Sequence, residues 1–342
     1  MNQKIAYLAG ALLTAATLLP AQTLINGAGA TFPAPMYTKW FSEYKKLHND
    51  VQINYQSLGS GAGIKQVTEG TVDFGASDGP MNDMQIADFA AKQKTNILHF
   101  PTVMGAVVPV YNVPGVTATL NFTGPVLADI FLGKITKWSD PAIAKINAGT
   151  KLPDTDIVVV HRSDGSGTTY CFVDYLGKVS PDWKAKVGAP NTAVSWPVGL
   201  GAKGNDGVTG QVKQTANSLG YIELIYAVQN KIGYGAVQNA SGKFVQGSLA
   251  GVTAAAAAQA KAMPEDFRVS ITNATGPTVY PISTFTWLLI PADIKDPAKK
   301  AAIKGFLTWM LKDGQKMTEA LDYAMLPKDV VAREEKAIAK IK

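Results

Sequence analysis

The sequence predicts an α/β protein of two lobes, in which each lobe has a mixed, mostly parallel sheet flanked by helices. Its 342 residues are about twice the length of an ordinary domain. Short β-branched runs alternate with stretches of helical apolar spacing, which is typical of parallel sheets covered by helices. Two long extended runs, 97–111 and 281–290, are suited to carry the chain between the lobes.

Residues 1–21 are predicted to be a signal peptide. Lys4 is the only cation among them, an apolar run follows, and small residues lead up to Ala21. The run is short for a membrane span, although a signal-anchor is the alternative. Cys171 is the only cysteine, so no intramolecular disulfide can form. We therefore expect the mature protein to be located in the periplasm.

The two long runs also define the predicted domain limits. Lobe I is expected to be discontinuous, with residues 22–108 and 282–342, and lobe II to span residues 109–281. Ligands of open α/β sheets bind beyond the carboxyl ends of the strands, and a cleft between two lobes lets both contribute to a site. The interlobe cleft is thus the expected ligand site.

The remaining elements follow in order from apolar spacing, glycines and prolines. A helix is predicted at 169–176 and Gly177 is predicted to end it, and Thr31 is predicted to cap the first helix. The other predicted elements are strands at 51–55, 72–78, 157–160 and 220–222 and helices at 36–47, 84–91, 127–132, 141–146, 223–229, 254–260, 303–310 and 330–341.

Three predicted strand-to-helix junctions carry hydroxyl side chains. They are Thr31-Phe32, Ser60 and Ser166-Gly167-Thr168. At each one a hydroxyl accompanies the first backbone N–H groups of a helix, which have no partner within the helix. Together the three junctions could surround an anion with several oxygens.

Arg162 adds a fixed cationic fork to the third junction. Asp164, two residues further on, can hold the guanidinium in place and balance part of its charge. The alternative for the stretch 161–168 is an ordinary capped turn with a surface ion pair.

Asp78 ends the predicted short strand at 72–78 and indicates which anion is preferred. A carboxylate facing a tetrahedral anion is repulsive unless the anion carries a proton that it can donate. Phosphate carries such a proton at neutral pH and sulfate does not, so the residue predicts selectivity for phosphate. The alternative is that Asp78 only caps a helix.

Composition argues against several other classes of function. The formal charge is +6, but no basic tract is interleaved with aromatic residues, so we expect no nucleic-acid partner. The three histidines are scattered, and neither they nor Cys171 has a metal-ligand spacing. We expect no metal, no cofactor and a monomer.

Four stretches, 27–35, 72–78, 162–168 and 196–207, resemble the periplasmic phosphate-binding proteins of phosphate-specific ABC importers. The resemblance covers nearly the whole mature chain. It implies a type II periplasmic binding protein, not an enzyme, that closes over inorganic phosphate and delivers it to membrane permease subunits. The phosphate ligands it implies are Thr31, Phe32, Ser60, Asp78, Arg162, Ser166, Gly167 and Thr168, with Asp164 supporting Arg162 from behind.

Three alternatives remain open from the sequence. One is a binding protein for another oxyanion, arsenate or sulfate, and another is a sensor or adhesion protein with the same fold. The last is a secreted hydrolase with Ser166 as nucleophile. That hydrolase is disfavoured because glycines directly flank Ser166 instead of lying two residues away, and because His161 lies at the far end of the same loop.

Overall fold

The computed structural model describes residues 22–342, and the predicted signal peptide lies outside them. The strands are β1 (Thr23–Gly29), β2 (Val51–Ser57), β3 (Phe74–Ser77), β4 (Ile97–Asn112), β5 (Asn121–Phe122), β6 (Val158–Arg162), β7 (Leu200–Ala202), β8 (Ser218–Glu223), β9 (Ala236–Gln238), β10 (Phe244–Gln246) and β11 (Ser283–Pro291).

Helices cover the sheets on both sides. They are α1 (Ala34–Leu47), α2 (Ser60–Glu69), α3 (Asp83–Gln93), α4 (Gly124–Phe131), α5 (Pro141–Ile146), α6 (Gly167–Val179), α7 (Pro181–Val187), α8 (Gly204–Gln214), α9 (Leu224–Gln229), α10 (Leu249–Gln259), α11 (Pro297–Trp309) and α12 (Lys328–Ile338). Among residues 22–342, none of the helices combines the length and the apolar character needed to cross a membrane.

The main sheet has the strand order β2-β1-β3-β11-β4-β8-β6-β7. At one end β1 runs parallel to β2 and β3, and at the other end β6 runs parallel to β7 and β8. The middle is antiparallel, because β11 pairs with β3 and β4 in this way and β4 pairs likewise with β8. A small sheet, β10-β9-β5, lies apart. The predicted two-lobed α/β architecture with mixed, mostly parallel sheets is confirmed.

Strand β4 joins the two halves of the main sheet. Its first part, 97–106, pairs with β11, and its last part, 107–112, pairs with β8. One continuous strand therefore belongs to both halves, as the long apolar run predicted. The exact lobe limits, 22–108 with 282–342 and 109–281, stay a prediction.

Each half has its own aromatic core. On one side Tyr37 and Phe41 of α1 pack against Tyr55 and Phe74. On the other side a cluster is formed by Phe131, Phe172, Trp196 and Tyr221. Such paired aromatic rings contribute both area and specific geometry to a core. Each half of the sheet is thus covered by aromatic side chains of its own, within a hydrophobic core that continues through both halves.

Two local predictions were wrong. Helix α6 runs past Gly177 to Val179, since a glycine inside a helix costs only about 1 kcal/mol and Ser180 ends this helix while capping the next one. Thr31 does not cap α1, because the helix begins at Ala34 and the Thr31 hydroxyl is bonded elsewhere.

Candidate functional site

The structure brings the predicted site residues together at the carboxyl ends of β1, β3 and β6, next to the first turns of α1, α2 and α6. The residues are buried: the exposed fraction is 5% for Thr31, 1% for Asp78 and 3% for Arg162. Phe32, Ser60, Ser166 and Thr168 have no exposed surface. The site is therefore an enclosed cluster of polar groups between the two halves of the sheet.

Asp78 lies directly after β3 and has neutral hydrogen-bond partners. Its Oδ1 accepts from the Thr286 hydroxyl at 2.9 Å, and its backbone N–H donates to the Ser60 hydroxyl at 3.2 Å. Burial raises the pKa of Asp78 to about 7, although Thr286, the charge of Arg162 and Ser60 oppose this shift. This carboxyl group can therefore hold or accept a proton near neutral pH. It does not cap α3, whose N-cap is Asn82.

Gly167 brings the first turn of α6 against Asp78. A Cβ atom at this position would lie 2.5 Å from both Asp78 Oδ2 and the Ser60 hydroxyl, so a side chain has no room. Nearby, the backbone N–H of Gly61 donates to the carbonyl of Gly165 at 2.9 Å. The starts of α2 and α6 are thus held in direct backbone contact.

Arg162 is held by a two-pronged ion pair with Asp164. Its Nε donates to Asp164 Oδ1 at 2.7 Å and its Nη2 to Oδ2 at 2.5 Å. Its Nη1 donates to the Thr168 hydroxyl at 3.3 Å. Burial on its own raises the pKa of Asp164, but the bonds from Arg162 and from the backbone N–H of Gly204 lower it below the usual value. Asp164 is therefore a fixed negative charge behind the guanidinium.

The Ser166 hydroxyl caps α6. Its oxygen accepts from the backbone N–H of Thr169 at 3.0 Å, which leaves its own O–H free to donate. His161 is engaged elsewhere, since its Nδ1 lies 3.0 Å from the carbonyl oxygen of Arg162 and its ring stacks on Trp196. The Ser–His pair that the hydrolase alternative requires is not formed.

Phe32 is held by its backbone. Its carbonyl accepts from the hydroxyl of Tyr323 at 2.5 Å, and its ring lies against Gly105 of β4.

Within residues 22–342 no group of histidine, cysteine, aspartate and glutamate residues is arranged to hold a metal ion.

Sequence reasoning missed two polar residues of this cluster. Asn205 bonds to both Thr31 and Thr168, and Thr286 donates to Asp78. Asn205 stands in the glycine-rich stretch 196–207, one of the four stretches that carry the family resemblance, so an indication existed. Thr286 lies within an apolar strand, and nothing in the local sequence distinguishes it.

Comparison with known proteins agrees with this geometry. The PBP superfamily domain matches residues 14–314. The phosphate-binding protein PstS of Xylella fastidiosa is 46% identical over 312 residues, which cover 91% of this chain and 84% of that protein. The phosphate-binding protein PstS of Pasteurella multocida is 44% identical over 334 residues, which cover 97% and 94%.

A solved structure shows the same fold at much lower identity. The phosphate-binding protein from Stenotrophomonas maltophilia superposes with a TM-score of 0.70 at 20% identity, and the match covers 92% of this chain and 93% of that one. The chain belongs to the PstS family of phosphate-binding proteins within the PBP superfamily.

Proposed function

We propose that this protein binds inorganic phosphate in the buried cluster and delivers it to the membrane permease subunits of an ABC importer. The observation that carries the proposal is Asp78, a buried carboxylate surrounded by hydrogen-bond donors and by the charge of Arg162. Delivery to a permease, location in the periplasm and action as a monomer are inferred from the resemblance and from the relatives named PstS.

The donors and the single acceptor have separate roles in the proposed complex. The donors are the hydroxyls of Thr31, Ser60, Ser166 and Thr168, the backbone N–H groups of Phe32 and Gly167, and the guanidinium of Arg162. Helix starts favour anions, and buried donors bind oxyanions strongly because water does not compete. Asp78 accepts the proton of the bound anion. Asp164 is not a ligand but fixes the direction of the guanidinium.

Asp78 also decides between the competing anions. Sulfate has no proton at neutral pH, so one of its oxygens would face the carboxylate without a hydrogen bond. Arsenate is protonated like phosphate and meets no such penalty. The proposal therefore predicts that sulfate is rejected, whereas arsenate is accepted.

Binding is proposed to close the two lobes about the crossing strands, at Val107–Tyr111 and Ile282–Phe285. In this structure the halves are already in contact, since the Asn205 amide of α8 bonds to the Thr31 hydroxyl at 2.8 Å. A ligand that contacts both halves stabilises the closed arrangement, because it can make all of its contacts only when the halves are close together. Small-angle scattering of the mature protein should show a smaller radius of gyration with phosphate than without it.

Calorimetry with phosphate, arsenate and sulfate tests the proposed function. Tight binding of phosphate with sulfate weaker by about 10⁴ is expected for the natural chain, since an unpaired like-charged contact costs several kcal/mol. Asp78→Asn should weaken phosphate binding and narrow the gap to sulfate, because a carboxamide can donate to an unprotonated oxygen. Equal affinity of the natural chain for sulfate and phosphate would contradict the role of Asp78. In a separate phosphatase assay, turnover that Ser166→Ala abolishes would favour a hydrolase.

A further inference from the structure

Asn205 occupies the centre of the cluster without belonging to the predicted ligand set. It is the second residue of α8 and has no exposed surface. The turn before it requires Gly204, whose φ of +73° is disfavoured for residues with a side chain. Asn205 lies in the predicted lobe II, whereas Thr31 lies in the predicted lobe I. A single amide therefore bonds across the proposed cleft.

The hydrogen bonds of Asn205 define which way its amide points. Its Oδ1 accepts from the backbone N–H of Glu223 at 3.0 Å. A backbone N–H can only donate, so the atom facing it must be the amide oxygen. The Nδ2 group, which can only donate, therefore faces the hydroxyls of Thr31 at 2.8 Å and Thr168 at 3.2 Å.

The two threonine hydroxyls are consequently saturated as acceptors. A hydroxyl oxygen has two lone pairs and one hydrogen. Thr31 Oγ1 accepts from Asn205 Nδ2 and also from the Asn205 backbone N–H at 3.3 Å. Thr168 Oγ1 accepts from Asn205 Nδ2 and from Arg162 Nη1 at 3.3 Å. The remaining hydrogen-bonding capacity of each hydroxyl is to donate its own hydrogen.

We infer that Asn205 is a positioning residue that makes the Thr31 and Thr168 hydroxyls obligate donors to the bound oxyanion, and that it thereby leaves Asp78 as the group that accepts a ligand proton. The inference rests on the proposed function. Without Asn205, each hydroxyl could rotate and accept a hydrogen bond, so the site would lose part of its complementarity to the anion. Because Thr31 reaches Asn205 across the cleft, its donor is oriented as the lobes close.

The experiment is a pair of double-mutant cycles read by calorimetry with inorganic phosphate. Asn205→Ala is combined separately with Thr31→Val and with Thr168→Val, so that one hydroxyl remains in each background. Alone, Asn205→Ala should raise the phosphate Kd by roughly tenfold to a hundredfold, the range for loss of one or two buried hydrogen bonds. In each valine background the increase should be smaller by at least about threefold, because the hydroxyl that Asn205 orients is already gone.

A matched control separates positioning from packing. The Thr209 hydroxyl donates to the backbone carbonyl of Asn205 at 2.8 Å, and Thr209 is also buried in α8. Thr209→Val should lower stability while changing the phosphate Kd by less than about twofold, since it leaves the Asn205 amide in place. If Asn205→Ala fails to fold, Asn205→Asp replaces it in the same cycles, because it keeps the oxygen that faces Glu223 and exchanges the donor group for an acceptor.

The outcomes distinguish the two proposals. If the natural chain binds no phosphate, the proposed function is wrong. If it binds phosphate but the effect of the Asn205 variant is the same in all three backgrounds, or if Thr209→Val weakens binding as much, the inference about Asn205 is overturned. Reduced effects in both valine backgrounds would support it.

Discussion

Two aspartates of the site, Asp78 and Asp164, follow strands in the two halves of the sheet and have opposite electrostatic environments. Asp164 is bonded twice by Arg162, and its pKa lies below the usual value. Asp78 has hydroxyl partners and is fully buried, so its pKa is raised to about 7. The same residue type is thus a permanent anion in one half and a proton acceptor in the other, because of what surrounds it.

The largest effect is expected from breaking the ion pair. Arg162→Ala removes the cation and leaves the partly buried Asp164 carboxylate unpaired near the anion, so phosphate Kd should rise by about a thousandfold, which corresponds to about 4 kcal/mol. Calorimetry with inorganic phosphate measures this change in Kd. Arg162→Lys, which keeps the charge without the two-pronged geometry, should recover part of the affinity. A rise in Kd below about tenfold for Arg162→Ala would argue against the guanidinium as a ligand of the bound phosphate.

The pH dependence of stability should have opposite signs for the two aspartates. The folded-state pKa of Asp78, about 7, exceeds its ordinary value of 3.8. Between pH 3.8 and about pH 7 the folded protein therefore holds a proton on Asp78 that the unfolded chain has released. Because of this group, the free energy of unfolding falls as pH rises, by about 1.4 kcal/mol per pH unit up to pH 7. The pKa of Asp164 is lowered, so its contribution is present above its usual pKa and is lost as pH falls.

Urea unfolding of ligand-free protein at pH 5 and pH 8 checks these signs. The difference in free energy of unfolding between Asp78→Asn and the natural chain should favour the variant by about 3 kcal/mol more at pH 8 than at pH 5. The reason is that only the natural chain has to ionise a buried carboxyl group over this pH range. Asp164→Asn is the matched comparison and should be destabilising at pH 8. An Asp78→Asn difference that is independent of pH would contradict the raised pKa.

The contact between the two halves should be sensitive to Gly167. In Gly167→Ala the new methyl group would meet Asp78 and Ser60, so the halves could not approach fully. Phosphate Kd should rise by about 30-fold, or about 2 kcal/mol, typical of overpacking a buried contact. Gly177→Ala in the same helix is the control, because nothing lies within 4 Å of the added methyl group. That variant should bind phosphate normally and be somewhat more stable.

The smallest effect concerns the cap of α6. Ser166→Ala should lower the free energy of unfolding by about 1 kcal/mol, the usual value of an N-cap hydroxyl, and should also weaken phosphate binding. Ser180→Ala removes the cap of α7 in the same way, since Ser180 accepts from the backbone N–H of Trp183. Ser180→Ala should lower the free energy of unfolding by a similar amount, measured by urea unfolding. It should leave the phosphate Kd, measured by calorimetry, unchanged. Equal affinity losses in both variants would argue against Ser166 as a ligand.

Local patterns in the sequence were sufficient for most elements of the fold. Apolar spacing predicted α1, and the β-branched run at 157–160 predicted β6, because both periodicities depend on neighbours along the chain. The order of these elements along the chain also placed hydroxyl side chains and an arginine at predicted strand-to-helix junctions. The two errors have different causes. A tertiary contact uses the Thr31 hydroxyl, whereas the helix continues past Gly177 because a single glycine is tolerated and Ser180 ends the helix.

The sequence by itself determined the α/β class, the family resemblance and the kinds of groups available to an anion. Only the tertiary structure decided how those groups are paired: that Asp78 has neutral partners, that Thr286 is one of them, and that Asn205 bonds to both threonine hydroxyls. The physical reason is that burial and hydrogen-bond saturation depend on groups far apart in the chain. A motif specifies residue types, whereas the folded neighbourhood specifies the protonation and direction of each one.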